Sequence, residues 1–160
     1  MPKIQNLILA GLIAVSLSAC EKKIPIEEDP IEHAKATAVA EKYLKAFAGG
    51  DAPLVMEMSE APFWGDGDIV PTMEALEIEV KEQLKDISDL EFVVKDARYL
   101  PMAELQQLMP NLYQQLVGDQ FITGVHAVVL TLEIMGKEER GLVLVRRQED
   151  GMWKVVGIGD

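Results

Sequence analysis

The sequence predicts an α+β fold, with N-terminal helices packed in a curved antiparallel sheet. Three observations carry this. Apolar residues in the first half recur at helical spacing. Those in the second half alternate in short runs separated by turn signals. Helices come first and a meander comes last, an order that suits a sheet wrapped on helices.

The first helix presents Ala36, Val39, Ala40, Tyr43, Leu44 and Phe47 on one face, with Lys35, Glu41, Lys42 and Lys45 off it. Gly49-Gly50 stops it. Asp51 caps a second, short helix with Pro53 in its first turn, running to about Ser59. Residues 61–68 read as a loop or a short strand, with Asp66-Gly67 as a turn. A third helix begins near Thr72, with Met73, Leu76, Val80, Leu84 and Ile87 as its apolar stripe.

Strands follow. Residues 91–99 alternate, with Phe92 and Val94 on one face. Residues 125–135 place Val128, Leu130, Leu132 and Ile134 together, and residues 121–123 extend that strand with Gly124 as a bulge. Residues 136–139 form a turn, 141–148 a strand, and Glu149-Asp150-Gly151 a hairpin leading to a last strand over 152–158. Residues 101–118 interrupt the strands. Leu105, Leu108, Met109, Leu112 and Leu116 are helically spaced, and Pro110 must break the helix. Residues 105–118 hold no charge and are rich in amides (Gln106, Gln107, Asn111, Gln114, Gln115). Such a segment either covers the open end of the sheet or meets a protein partner, because interface cores are depleted in charge.

The element order resembles the nuclear transport factor 2-like superfamily, the cone-shaped, cystatin-like fold of ketosteroid isomerase and SnoaL-type proteins. The residues that carry the resemblance are the first helix ending Tyr43-Leu-Lys-Ala-Phe-Ala-Gly-Gly-Asp, residues 67–76 leading into a helix, and the ending Asp150-Gly-Met-Trp-Lys-Val-Val-Gly-Ile-Gly. These motifs mark a fold, not an activity.

The amino terminus reads as an address. Lys3 precedes an apolar run from Leu7 to Val15, too short to span a bilayer, and small residues follow. Leu17-Ser18-Ala19-Cys20 resembles the lipobox of bacterial lipoproteins. That resemblance implies a signal peptide over residues 1–19, a Cys20 carrying lipid through its sulfur and acylated at its new amino terminus, and an anchor in the cell envelope facing the periplasm. Two or more chains anchor stably where one does not. Glu21, in place of an aspartate, favours the outer membrane over the inner one. Residues 20–31, with two prolines and dense charge, read as a stiff tether, and residues 32–160 as the domain. The chain carries a net charge of −12, made one unit more negative by loss of Lys3. Nucleic acid is therefore excluded as a partner. With Cys20 acylated, no cysteine remains for a disulfide, so stability rests on packing.

Several residues are candidates for chemistry. In the ketosteroid isomerase branch, the resemblance implies a first-helix tyrosine in an oxyanion hole, matched by Tyr43. It also implies a proton-abstracting aspartate after the helices, matched by Asp66 or Asp68, and an acid on a later strand. Residues 125–135 offer only Thr131 and Glu133, both opposite the apolar face, so the set is incomplete. His126 shares a face with Val128 and Leu130 and is placed to line the cone mouth, as histidines do in dehydratase relatives. His33 reads as a solvated residue of the first helical turn. Two distant histidines make no zinc site, and Asp66-Gly-Asp68 lacks the later ligands of a calcium loop, so no metal or cofactor is expected. Trp64, Tyr99 and Tyr113 are the aromatics that would line a binding site. The resulting expectation is a lipid-anchored module that binds a small apolar ligand or a protein partner without catalysis. The alternatives are a small isomerase or dehydratase using Tyr43 with Asp66, Asp68 or His126, and a purely structural lipoprotein.

Overall fold

The structure, a computed structural model, describes residues 24–87 and 91–159. Cys20 and the leader lie outside the described residues. A 3-10 turn, Ile26–Glu28, leads into α1, Pro30–Ala48. The Asp29 carboxylate accepts from the backbone amides of Ile31 and Glu32, so the helix starts at a true cap. Part of the segment expected as a tether is thus folded, and Ile26 packs on the core. Helix α2, Ala52–Met58, is capped by Asp51, whose carboxylate accepts from Leu54 N at 3.1 Å. Strands β1, Ser59–Gly65, and β2, Asp68–Val70, form a hairpin whose turn residues Asp66 and Gly67 both have positive φ. That geometry suits a tight hairpin turn and favours glycine at the second position. Helix α3 is Met73–Ile87, with the Thr72 hydroxyl accepting from Ala75 N.

Strand β3, Phe92–Leu100, is followed by two short helices, α4, Met102–Leu108, and α5, Pro110–Gly118. The break falls at Met109–Pro110, where proline lacks the donor that a continuous helix needs. Strands β4, Val125–Ile134, β5, Lys137–Arg147, and β6, Trp153–Gly159, form the meander. Residues 121–123 do not extend β4. They form a turn region whose Phe121 is buried under α5.

The six strands make one sheet in the order β2-β1-β6-β5-β4-β3. The meander is antiparallel, and β1 joins β6 in parallel, so the whole sheet is mixed. The parallel pair brings Trp64 opposite Gly157. A Cβ at Gly157 would stand 2.8 Å from the Trp64 carbonyl oxygen, and one at Gly159 would stand 2.8 Å from the Trp64 ring. The two glycines of the last strand therefore make room for this tryptophan.

The sheet has a core on each face. On the concave side, α1, α2 and α3 pack against Tyr99, Val128, Leu130, Val143, Val145 and Trp153. On the convex side, α4 and α5 seal Trp64, Leu100, Ala127, Leu142, Leu144 and Val156 beneath Leu105 and Leu116. The amide-rich segment covers the outer face of the sheet, not its open end. Alternation divides each strand between the two cores.

The cone has two distinct ends. The base gathers the start of α1, the end of β3, the start of β4 and the β5–β6 hairpin. The mouth gathers the end of α1, the β1–β2 turn, the β4–β5 hairpin and the end of β6. Helix α1 runs from base to mouth, about 28 Å for 19 residues.

Candidate functional site

At the mouth, α1 supplies Tyr43 and Phe47, the β1–β2 hairpin supplies Phe63, Asp66 and Asp68, and α3 supplies Leu76, Glu79 and Val80. Together they line a cleft of about 190 Å³. A wider depression of about 710 Å³ adjoins it and shares Phe47, Asp66 and Ile158. Leu44, Leu132 and Ile134 give the depression an apolar floor, and Lys137, Glu139 and Arg140 of the β4–β5 hairpin give it a charged rim. An apolar concavity with a few polar groups is the usual form of a small-molecule site.

Tyr43 is fully buried, and its hydroxyl has no hydrogen-bond partner among the described residues. Burial pushes it up to about 12, while the neighbouring Ser59 hydroxyl pulls weakly the other way. Ser59 itself donates to the Val55 carbonyl oxygen at 2.7 Å. Tyr43 therefore stays protonated across the physiological range and keeps a hydrogen to donate. Removing a buried, unpartnered hydroxyl relieves a desolvation cost. Tyr43→Phe is expected to leave the unfolding free energy unchanged or raise it by up to about 1 kcal/mol, measured by urea denaturation. A loss of more than about 1 kcal/mol would show that the hydroxyl is engaged in the fold.

Asp66 adopts φ 45° in the hairpin turn, and its amide donates to Ile158 O at 3.3 Å. Asp68 and Asp66 are both exposed on the cleft wall. Tyr43, Asp66 and Asp68 thus line one cavity. His126 does not join them.

His126 stands at the base, at the opposite end of α1 from the Phe47 side of the cleft. Its Nδ1 lies 2.7 Å from the Tyr99 hydroxyl, and its ring meets the Trp153 indole edge-on with centroids 5.2 Å apart. Burial first, and then His33, lower the His126 pKa, while Glu27 opposes them. Tyr99 is pushed up to about 12 by burial and by Glu27. His33 is not a solvated residue. It stacks on Tyr99 with centroids 3.8 Å apart and planes 8° apart, and its Nε2 is buried without a partner among the described residues. The two histidines, far apart in sequence, therefore meet across one tyrosine. Among the described residues, no three His, Cys, Asp or Glu side chains form a metal-binding group.

Trp64 lines neither the cleft nor the depression at the mouth. It is closed inside the convex core, and its Nε1 donates to the Asp119 carboxylate at 3.1 Å. Tyr113 packs half-buried against the same core. Tyr99 lies in the histidine stack at the base, where it also borders an open groove beside Arg98.

Sequence reasoning missed Glu32. This carboxylate is buried at the start of α1 and accepts from three donors. Lys35 Nζ lies at 2.7 Å, Arg147 Nε at 2.9 Å and Trp153 Nε1 at 3.1 Å. The Lys35 hydrogen bond holds its pKa below the usual 4.5, with Trp153 and Arg147 adding to it and burial opposing. A lone acid in a first helical turn gives no hint that two residues 115 and 121 positions away will reach it.

No family model matches the chain, and no curated protein matches it. Solved structures do. A candidate ketosteroid isomerase from Shewanella frigidimarina superposes with a TM-score of 0.54 at 11% identity, over 78% of this chain and 92% of that one. A protein of unknown function from the DUF3225 family of Pectobacterium atrosepticum gives 0.53 at 15% identity, over 84% and 94%. A cystatin-like protein of unknown function from Nostoc punctiforme gives 0.52 at 11% identity, over 81% and 90%. These likenesses show the fold: this chain has the cystatin-like, nuclear transport factor 2-like cone.

Proposed function

We propose that the protein is an envelope lipoprotein, anchored through an acylated Cys20, whose cone binds a small, largely apolar ligand at its mouth without transforming it. The observation that supports ligand binding most is the Tyr43 hydroxyl. It is buried, protonated and without a hydrogen-bond partner among the described residues, and the Tyr43 side chain lines a cleft walled by Phe47, Phe63 and Ile158. The ligand it suits has an apolar body and one hydrogen-bond acceptor. The acidic wall of Asp66, Asp68 and Glu79 disfavours an anion.

Gly65 gives a clean handle on this site. It lines the cleft, and a Cβ there would meet nothing within 4 Å. Gly65→Leu is expected to fill the cleft, keep stability within about 1 kcal/mol and remove ligand capture. The anchor is tested separately, by the mass of the leading fragment of protein isolated from its own cells. Lipid on Cys20 is expected; an unmodified thiol or an uncut leader would remove the lipoprotein reading.

A second reading, isomerase-type chemistry, draws on Tyr43, Asp66 and Asp68 sharing one cleft. Catalysis of that kind needs acids with pKa values pushed apart in an apolar site, and both aspartates are exposed. No turnover of a Δ5-ketosteroid is expected. Turnover abolished by Tyr43→Phe would reverse the choice.

A further inference from the structure

We infer that the base of the cone lies directly on the bilayer, with Ile24, Ile31 and Met152 in contact with lipid, so that the mouth points away from the membrane. The inference rests on the anchor proposed above and adds an orientation to it.

Chain length carries the argument. Ile26 already packs on the concave core. It lies only six positions after Cys20, at most about 21 Å of extended chain. Ile24 is nearer still, four residues and at most about 14 Å from the lipidated position. The end of the domain that holds the start of α1 is therefore confined near the lipid surface. The mouth lies a helix length beyond it, about 28 Å for the 19 residues of α1.

What the base exposes fits that placement. Ile24 is 60% exposed, Ile31 67% and Met152 56%. Ile31 precedes Glu32, and Met152 precedes Trp153, whose indole donates to the Glu32 carboxylate. The β5–β6 hairpin and the first turn of α1 are thus fastened together, and they carry Met152 and Ile31 on the same end. Other apolar side chains are exposed elsewhere, Met135 at the mouth among them. The tether decides which end reaches lipid. Charge does not draw the base down, since the sequence sets Lys22 and Lys23 against Glu21, Glu27, Glu28 and Asp29, and the β5–β6 hairpin adds the exposed Glu149 and Asp150. Contact depends on apolar side chains entering the headgroup boundary, as in other interfacial anchors.

The test uses the full, lipidated protein in vesicles of phosphatidylcholine and phosphatidylethanolamine. An acylated Cys20 has its sulfur in a thioether and takes no thiol label, so single spin labels are placed through Ile31→Cys, Met152→Cys and Glu138→Cys. All three positions are exposed, and Glu138 lies in the β4–β5 hairpin at the mouth. Collisions with a water-soluble nickel relaxant are expected to be lost at 31 and 152 on vesicle binding and kept at 138. Equal nickel access at all three sites on a protein whose Cys20 carries lipid would overturn the inference and leave the anchor standing. Shielding at 138 alone would overturn it too, by placing the mouth on the membrane. A mass showing no lipid on Cys20 would remove the anchor and the orientation together.

Discussion

Glu32→Ala is expected to lower the unfolding free energy by about 1–3 kcal/mol, chiefly because it strands a buried indole N–H, while loss of the ion pairs to the part-exposed Arg147 and Lys35 adds little. The carboxylate is the clasp between α1 and the β5–β6 hairpin. Glu32→Gln keeps an acceptor for Trp153 and is expected to cost about 1 kcal/mol less. The pH dependence separates charge from shape. The native pKa of Glu32 lies below its usual 4.5, so the ionised form is favoured in the fold. Its contribution is present above that usual value and is lost as pH falls through the lower native one. The stability gap between wild type and Glu32→Gln should therefore hold near pH 7 and shrink below about pH 4.5. Denaturant melts at pH 7, 5 and 3.5 read this directly. A gap that stays constant would show that the ion pairs contribute nothing.

Leu116→Ala and Leu105→Ala are each expected to cost about 3 kcal/mol, as large-to-small changes at closed core sites. Both leucines are fully buried and cap the convex core. The exposed amides of the same helices behave differently. Gln107→Lys and Gln114→Lys should stay within about 0.5 kcal/mol of wild type. The contrast tests whether α4 and α5 belong to the fold. Leucine variants with unchanged urea midpoints would mean that the segment is an appendage and the outer sheet face is stable without it.

The contrast also marks what the sequence could and could not reveal. The helical stripe of 105–116 and its break at Pro110 were legible, because periodicity and a missing donor are local properties. Which face of the sheet the stripe would cover was not, since that depends on where β3 and β4 send the chain. Tyr99 shows the same limit in a strand. Phe92 and Val94 point into the concave core, and strict alternation would send Tyr99 the other way. The register slips between Val94 and Asp96, leaving Lys95 as an extra residue, and this returns Ala97 and Tyr99 to the inner face. The bulge thereby brings Tyr99 to His126 and His33. Nothing in Val-Val-Lys-Asp-Ala announces it. The β1–β6 pairing was hidden for a similar reason. Parallel partners lie far apart in sequence, and a short run with a proline gives weak strand signal. In contrast, Tyr43, Asp66 and Asp68 were singled out through the resemblance to ketosteroid isomerase, and the structure lines all three along one cleft.

The most direct test of the ligand site is a Nile red titration of the lipid-free chain starting at Glu21. This uncharged dye has an apolar body and a carbonyl acceptor, the chemistry proposed above for the ligand. Wild type should bind it saturably with a blue-shifted emission, Tyr43→Phe more weakly, and Gly65→Leu not at all while keeping its urea midpoint. Equal, saturable binding by wild type and Gly65→Leu would contradict the account.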